Sequence, residues 1–385
     1  MRLPALRVGG PAANIFAPAD LHGEPPRDGP AAMTLRDRAR APSPTLSPAA
    51  EGLGAAIRDS DAALPERLAA LDRLVALEVG DTALHRARGL ERHLGIRELY
   101  LKYEGDNPTG TQKDRIAFAQ VRDALARGAT DVALATCGNY GVAVALACRT
   151  AGLTCRIYVP AGYHTERGAE MERLGAHLHR LPGSYEEVVA VSSALAAEAG
   201  WYDANPGGAN AALQLAAYAA VGREIAAGLP GRPLTAVAVP VSNGTLLAGT
   251  YRGLAAALPQ NRLPRLLAAS STRKNPIVES WRARRGECRD LDPAAVRETA
   301  VNEPLINWHA FDGQDALDAV YATGGAAYGI SDRDLRDAAA LVGRLEGYRV
   351  LPASTAGLFA LLREHEALRD GLPEASYVAV LTARN

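Results

Sequence analysis

From Arg97 to the last residue, short apolar runs alternate with stretches of helical spacing, and that alternation leaves few folds open. The runs from Glu98 to Tyr103, Asp131 to Thr136, Arg156 to Pro160, Thr235 to Val241, Leu266 to Ser270, Tyr348 to Leu351 and Tyr377 to Thr382 read as strands. Between them, apolar residues recur at helical spacing after Lys113 as far as Gly128, and over 139–151, 166–174, 214–227, 246–258, 331–345 and 355–368. Ser184 with Glu187 forms a capping box that opens a further helix through Ala199. Strands separated by helices of this length are joined by crossovers, so they lie parallel with both faces covered. The chain is therefore expected to be α/β, and its 385 residues suffice for two units with real cores.

The totals exclude several classes. A net charge of −1 with 48% apolar residues implies neither a nucleic-acid partner nor an acidic membrane surface. Cys137, Cys148, Cys155 and Cys288 lack metal-ligand spacing, which points to no metal and to a reduced, cytoplasmic protein. The most apolar stretch, Val132 to Cys148, is interrupted by Gly138, Asn139, Tyr140 and Gly141, so it reads as strand, loop and helix rather than a membrane span. No signal peptide is apparent. Residues 1–50 are rich in Pro, Ala, Gly and Arg, and Pro25, Pro26, Pro42, Pro44 and Pro48 interrupt helical runs. They are expected to form a loosely ordered or covering extension, and Met33 is a second possible start.

Of 42 basic residues only Lys102, Lys113 and Lys274 are lysines. Arginine stays protonated, whereas a lysine amine can shed its proton and condense with an aldehyde. Lys113 follows a turn, Asn107-Pro108-Thr109-Gly110, and starts a helix, where the dipole disfavours an extra cation. The plain alternative is a helix-terminal surface charge.

The segment Lys102-Tyr103-Glu104, Asn107-Pro108-Thr109-Gly110-Thr111-Gln112-Lys113-Asp114-Arg115 resembles the Schiff-base segment of threonine synthase, a member of the fold-type II pyridoxal-phosphate (PLP) enzymes. The resemblance runs from about residue 76 to the end. It implies two open, mostly parallel α/β domains with the cofactor in the cleft between them. Their expected boundaries are 51–115 with 226–385 for the large PLP-binding domain and 116–225 for the small one. It also implies that Lys113 carries the Schiff base.

Three further segments end strands, where open α/β sheets bind ligands. Thr136-Cys137-Gly138-Asn139-Tyr140 resembles the family loop that holds the substrate carboxylate, with Asn139 also reaching the cofactor. Read alone it is a turn in which Asn139 caps a helix; Cys137 is a small filler and no nucleophile, and Tyr140 narrows the pocket. Ser242-Asn243-Gly244-Thr245 resembles the phosphate loop, with Ser242 and Thr245 in place of two glycines. Its plain reading is a strand-to-helix turn, and it lacks the dinucleotide glycine pattern. Thr382 matches the hydroxyl residue facing the pyridine nitrogen; read alone it is a strand terminus. Ser354, in Pro352-Ala353-Ser354-Thr355-Ala356, reads as a helix N-cap or a substrate-side contact.

Two departures matter. Gly80-Asp81-Thr82-Ala83-Leu84 lacks the family's proline, and Tyr202, Asp203 and Gly208 stand where threonine synthases carry donors and an arginine for the leaving phosphate. An aspartate there repels a phosphate. The expectation is a PLP-dependent lyase or synthase eliminating or replacing a β or γ substituent of a small amino acid, not O-phosphohomoserine. The alternatives are a serine/threonine dehydratase- or cysteine synthase-type enzyme and a non-catalytic PLP- or amino-acid-binding relative. A homodimer is expected by family analogy.

Overall fold

The computed structural model describes residues 46–136, 138–162, 167–368 and 375–385. The expectation for residues 1–45 lies outside them. Among the described residues ten strands occur in chain order: β1 Leu84–Arg86, β2 Glu98–Tyr103, β3 Asp131–Ala135, β4 Thr154–Pro160, β5 His177–Leu181, β6 Tyr202–Asp203, β7 Ala236–Pro240, β8 Arg265–Ser271, β9 Ala326–Ile330 and β10 Ser376–Leu381. They form a six-stranded sheet, β1-β2-β10-β7-β8-β9, and a four-stranded sheet, β5-β4-β3-β6. Only β1 runs antiparallel, against β2; every other pairing is parallel.

The last strand in sequence is inserted between β2 and β7, with Val378 opposite Tyr100 and Val237. Every residue of β7 and β10 is buried, as expected for central strands covered on both faces. Val378, Val380 and Leu381 are fully buried, each worth about 1.5–3 kcal/mol of transfer free energy. This placement carries the chain terminus to the carboxyl ends of β2 and β7.

Three local expectations are corrected. Pro48 does not break a helix but begins one, Pro48–Arg58, capped by the Ser47 hydroxyl. Proline suits this first position, where its missing N–H has no helical partner. Tyr348 to Leu351 forms no strand; Val350 makes a single isolated bridge with Arg384, while the Tyr348 ring turns against Tyr103 and His85. Ser354 is not a helix N-cap. It lies inside the 3-10 turn Pro352–Thr355, and its Oγ accepts the Ala383 N–H at 3.1 Å. Helix Ala356–Leu368 simply continues from that turn.

Candidate active site

At the carboxyl end of β2 the chain passes through the 3-10 turn Glu104–Asp106 into the turn that precedes helix Lys113–Ala126. Asn107 fixes this turn: its Nδ2 donates to the Glu104 carbonyl at 3.0 Å, and its Oδ1 accepts the Gly80 N–H at 2.9 Å. Gly110 has φ +80, and a Cβ there would lie 2.3 Å from Arg384 Nε, so both the backbone and the packing require glycine. The Thr109 N–H and hydroxyl donate to Asp114 at 2.9 Å. Burial pushes the Asp114 carboxyl up to about 7, against the Thr109 hydrogen bonds and the cations Arg167 and Arg384.

The C-terminal segment closes onto the same turn. Gln112 donates its N–H to the Thr382 carbonyl at 3.0 Å, Thr111 bridges Ala383, and Arg384 donates its N–H to Gly110 at 2.9 Å. Lys113 is thus one residue from a direct bond to Thr382. Its Nζ lies 5.4 Å from the centre of the Tyr140 ring. Burial pulls the amine down to about 8, while Asp312 and Glu303 oppose the fall. Desolvation is the largest cause of the fall. Among the described residues no carboxylate lies within ion-pair distance of this amine.

After β7, Gly244 adopts φ +95 at the start of helix Thr245–Ala257. A Cβ at Gly244 would sit 2.7 Å from the Asp312 carbonyl oxygen, so the turn is closed to larger residues. Asp312 holds this turn from one side: its N–H donates to the Asn243 carbonyl at 3.0 Å, and its carboxylate accepts the Thr245 hydroxyl. Ser242 donates its hydroxyl to Asn307 Oδ1, and its carbonyl accepts Asn275 Nδ2 at 2.9 Å. The Asn243 Oδ1 is buried without a partner among the described residues.

The loop after β3 completes the arrangement. Thr136 is buried, and its Oγ1 accepts the Gly138 N–H at 3.4 Å. Cys137 lies outside the described residues. Gly138 is the cap residue and borders open space, with nothing within 4 Å of a Cβ. Asn139 does not cap the helix but is its first residue, and its Oδ1 accepts Arg167 Nη1 at 2.6 Å. Arg167 Nη2 also donates to the Thr109 carbonyl at 3.3 Å, tying this loop to the Lys113 turn. The Tyr140 hydroxyl turns away from the amine, donating to the Ala204 carbonyl at 2.7 Å and accepting from Gln120. Its ring, not its hydroxyl, faces Lys113.

Hydrogen bonds and electrostatic reach therefore join Lys113, Thr382, the 242–245 turn, Tyr140 and the Thr136–Asn139 loop. The sequence reading missed Asp312, Glu303, Asn307 and Arg167. The first three fall in the long segment between helices Pro276–Arg282 and Gly313–Ala322, where no periodicity marks them. At the other departure, half-buried Asp203 accepts through Oδ1 from the Asn205 N–H at 2.9 Å and Nδ2 at 2.7 Å. Tyr202 donates to Asp123 at 2.9 Å, and Gly208 is exposed.

The chain matches the family described as "Pyridoxal-phosphate dependent enzyme" over residues 75–383. It is 31% identical to the threonine synthase of Methanocaldococcus jannaschii over 308 residues, 77% of this chain and 74% of that one. It is 28% identical to the threonine synthase of Methanosarcina acetivorans, covering 74% and 70%. Among solved structures, O-ureido-L-serine synthase superposes with a TM-score of 0.65 at 21% identity, covering 82% of this chain and 90% of that one. Maize serine racemase gives 0.65 at 20%, covering 83% and 93%. These last two likenesses bear on the fold. The chain belongs to the pyridoxal-phosphate-dependent enzymes of fold type II, it is threonine synthase-like, and its cofactor is pyridoxal 5'-phosphate.

Proposed function

We propose that this protein is a lyase or synthase acting at the β or γ carbon of a small amino acid, with Lys113 as covalent anchor and proton carrier. The observation that carries this reading is the bond from the residue before Lys113 to the Thr382 carbonyl, with Asp312 linking the amine's surroundings to the 242–245 turn. The residues fit the cofactor. A lysine amine drawn down to about 8 is partly neutral at physiological pH, and the 242–245 turn opens a helix whose first N–H groups have no helical partners. Ser242, Asn243, Gly244 and Thr245 would hold the phosphate at the free N–H groups of the helix they open. Thr382 would face the pyridine nitrogen, and Thr136, Cys137, Gly138, Asn139 and Tyr140 would receive the substrate carboxylate.

When bound, pyridoxal phosphate supplies an aldehyde for covalent capture and a conjugated ring that draws electrons from Cα. Lys113 removes and returns the proton at Cα, a task suited to an amine whose pKa lies near working pH. The Tyr140 ring shields one side of Nζ from water and favours its cationic form after proton uptake. A hydroxyl rather than a carboxylate at Thr382 suits elimination and replacement more than transamination.

O-Phosphohomoserine is not the substrate in this reading, because Asp203 stands where a phosphate needs cations. The two sheets are the cores of two domains, large (51–115 with 226–385) and small (116–225). The protein works as a cytoplasmic homodimer; no described helix is long and apolar enough to cross a membrane. Purified protein is expected to show a visible cofactor band, and borohydride should fix the cofactor to the peptide carrying Lys113. Amino acids and their O-acyl and O-phospho derivatives are then screened for spectral change and product. A colourless protein that takes up no cofactor sinks the proposal, and efficient threonine formation from O-phosphohomoserine sinks the substrate exclusion.

A further inference from the structure

A depression of about 510 Å³ is lined by residues other than those gathered around Lys113. Its wall is drawn from helix Pro48–Arg58, the end of helix Asn139–Ala151 and helix Gly168–Arg173. Three exposed arginines, Arg58, Arg149 and Arg173, are among its lining residues. Among the described residues none of the three pairs with a carboxylate. Arg58 Nη1 reaches the Thr150 carbonyl at 3.5 Å, and Arg173 Nε donates to the Ala169 carbonyl at 3.2 Å. Of the two carboxylates present, Glu170 is already matched by Arg167 Nε at 2.8 Å, so only Glu51 offsets the three cations. Leu46, Leu146 and Leu174 add an apolar floor, and no aromatic ring lines the wall.

Arginines without carboxylate partners around one depression can recognise multivalent oxyanions through their forked donors. The volume exceeds what one inorganic phosphate fills. We propose that this cavity binds a small organic anion carrying two or more carboxylate or phosphate groups, and that its occupancy is felt at the active site. The path is continuous: Glu170, in the cavity wall, bonds Arg167, which bonds Asn139 Oδ1 at 2.6 Å and the Thr109 carbonyl at 3.3 Å. An anion beside Glu170 repels that carboxylate and loosens its hold on Arg167, freeing the guanidinium to shift against the Asn139 loop. Both ends of this path then report the same ligand, as reciprocal coupling requires.

The test uses the full-length, cofactor-loaded protein, with pyrophosphate and citrate as separate calorimetric probes. Saturable binding of at least one probe, weakened tenfold or more by Arg149→Ala and by Arg173→Ala and less by the Arg→Lys changes, is expected. The pair of probes distinguishes phosphate from carboxylate ligands. Coupling is read as a probe-induced shift in the affinity for an amino acid, followed by the cofactor band; Glu170→Gln should abolish that shift while retaining probe binding. Absence of saturable binding by either probe, or binding indifferent to both arginine changes, overturns the site. Binding without any shift in amino-acid affinity overturns its regulatory role. Neither result depends on which reaction Lys113 catalyses.

Discussion

Lys102 and Lys113 lie eleven positions apart in one segment, and the fold gives them opposite fates. Lys102 is 1% exposed, donates to the Thr82 carbonyl, and pairs with Glu224 at 2.6 Å. Around it, Arg115 bonds Glu104 at 2.7 Å and Glu224 at 2.6 Å, all within a cluster that joins β2 to the helices starting at Lys113 and Ala211. Burial alone would push Glu224 up, but Arg115 and Lys102 override it and hold that carboxyl at about 2. Lys113 is half-buried, and among the described residues it lies beside an aromatic face with no carboxylate in ion-pair range. A direct partner fixes a buried amine as a structural cation. Withholding the partner leaves the desolvation cost unmet, and the amine gives up its proton more readily.

Replacing each lysine should separate these roles. Lys113→Ala, and equally Lys113→Arg, is expected to lower turnover at least about a thousandfold and abolish borohydride trapping, because no amine is left to join the cofactor. Circular dichroism should change little, and the unfolding midpoint of the cofactor-free Lys113→Ala protein should not fall. Lys102→Met should do the reverse, costing about 3 kcal/mol in urea unfolding by stranding buried charge, while trapping at Lys113 survives. If Lys102→Met abolished trapping without loss of stability, the contrast would be wrong.

The two pH dependences have the same sign but fall in separate windows. Lys113 in the folded, cofactor-free protein titrates at about 8 against an ordinary 10.5, so between those values the unfolded chain holds more protons and stability rises with pH. Lys113→Met should erase that rise, as read from unfolding midpoints. Glu224, held at about 2 against 4.5, contributes stability that is present above its unfolded value and is lost as pH falls through that window. Glu224→Gln should flatten that acid limb. Asp312→Asn gives a smaller effect. Removing a carboxylate that raises Lys113 should lower the acid limb of the pH–rate profile by about half a unit and tighten phosphate binding, measured by cofactor titration. The smallest change is expected from Tyr140→Phe. It loses the hydroxyl bonds to Ala204 and Gln120, at about 1–2 kcal/mol, but keeps the ring beside Lys113.

Local physics in the chain was sufficient to locate most of the elements that carry the site. Glu98–Tyr103 and Asn139–Ala151 fall at the bounds their patterns indicated, and Ser184 with Glu187 forms the capping box. These are determined by nearest neighbours: alternation, helical spacing and an N-cap hydroxyl. β5, with three of its five residues exposed, and β9, rich in alanine and glycine, carry no such pattern, because their pairing comes from β4 and β8 beside them. A proline count misread Pro48, since its effect depends on whether it sits first or midway in a helix.

The sequence by itself determined the α/β class, the order of its strands and helices, and a lysine made conspicuous by the arginines around it. Tertiary structure alone decided which lysine has a carboxylate within reach, that Asp312 from a patternless segment would hold the 242–245 turn, and that Asn139 would bond Arg167 rather than cap its helix. The division has a physical cause. Helix and strand preferences are written within a few residues, whereas the charge state of a buried amine depends on groups roughly 110 to 200 positions away that only the folded chain brings near.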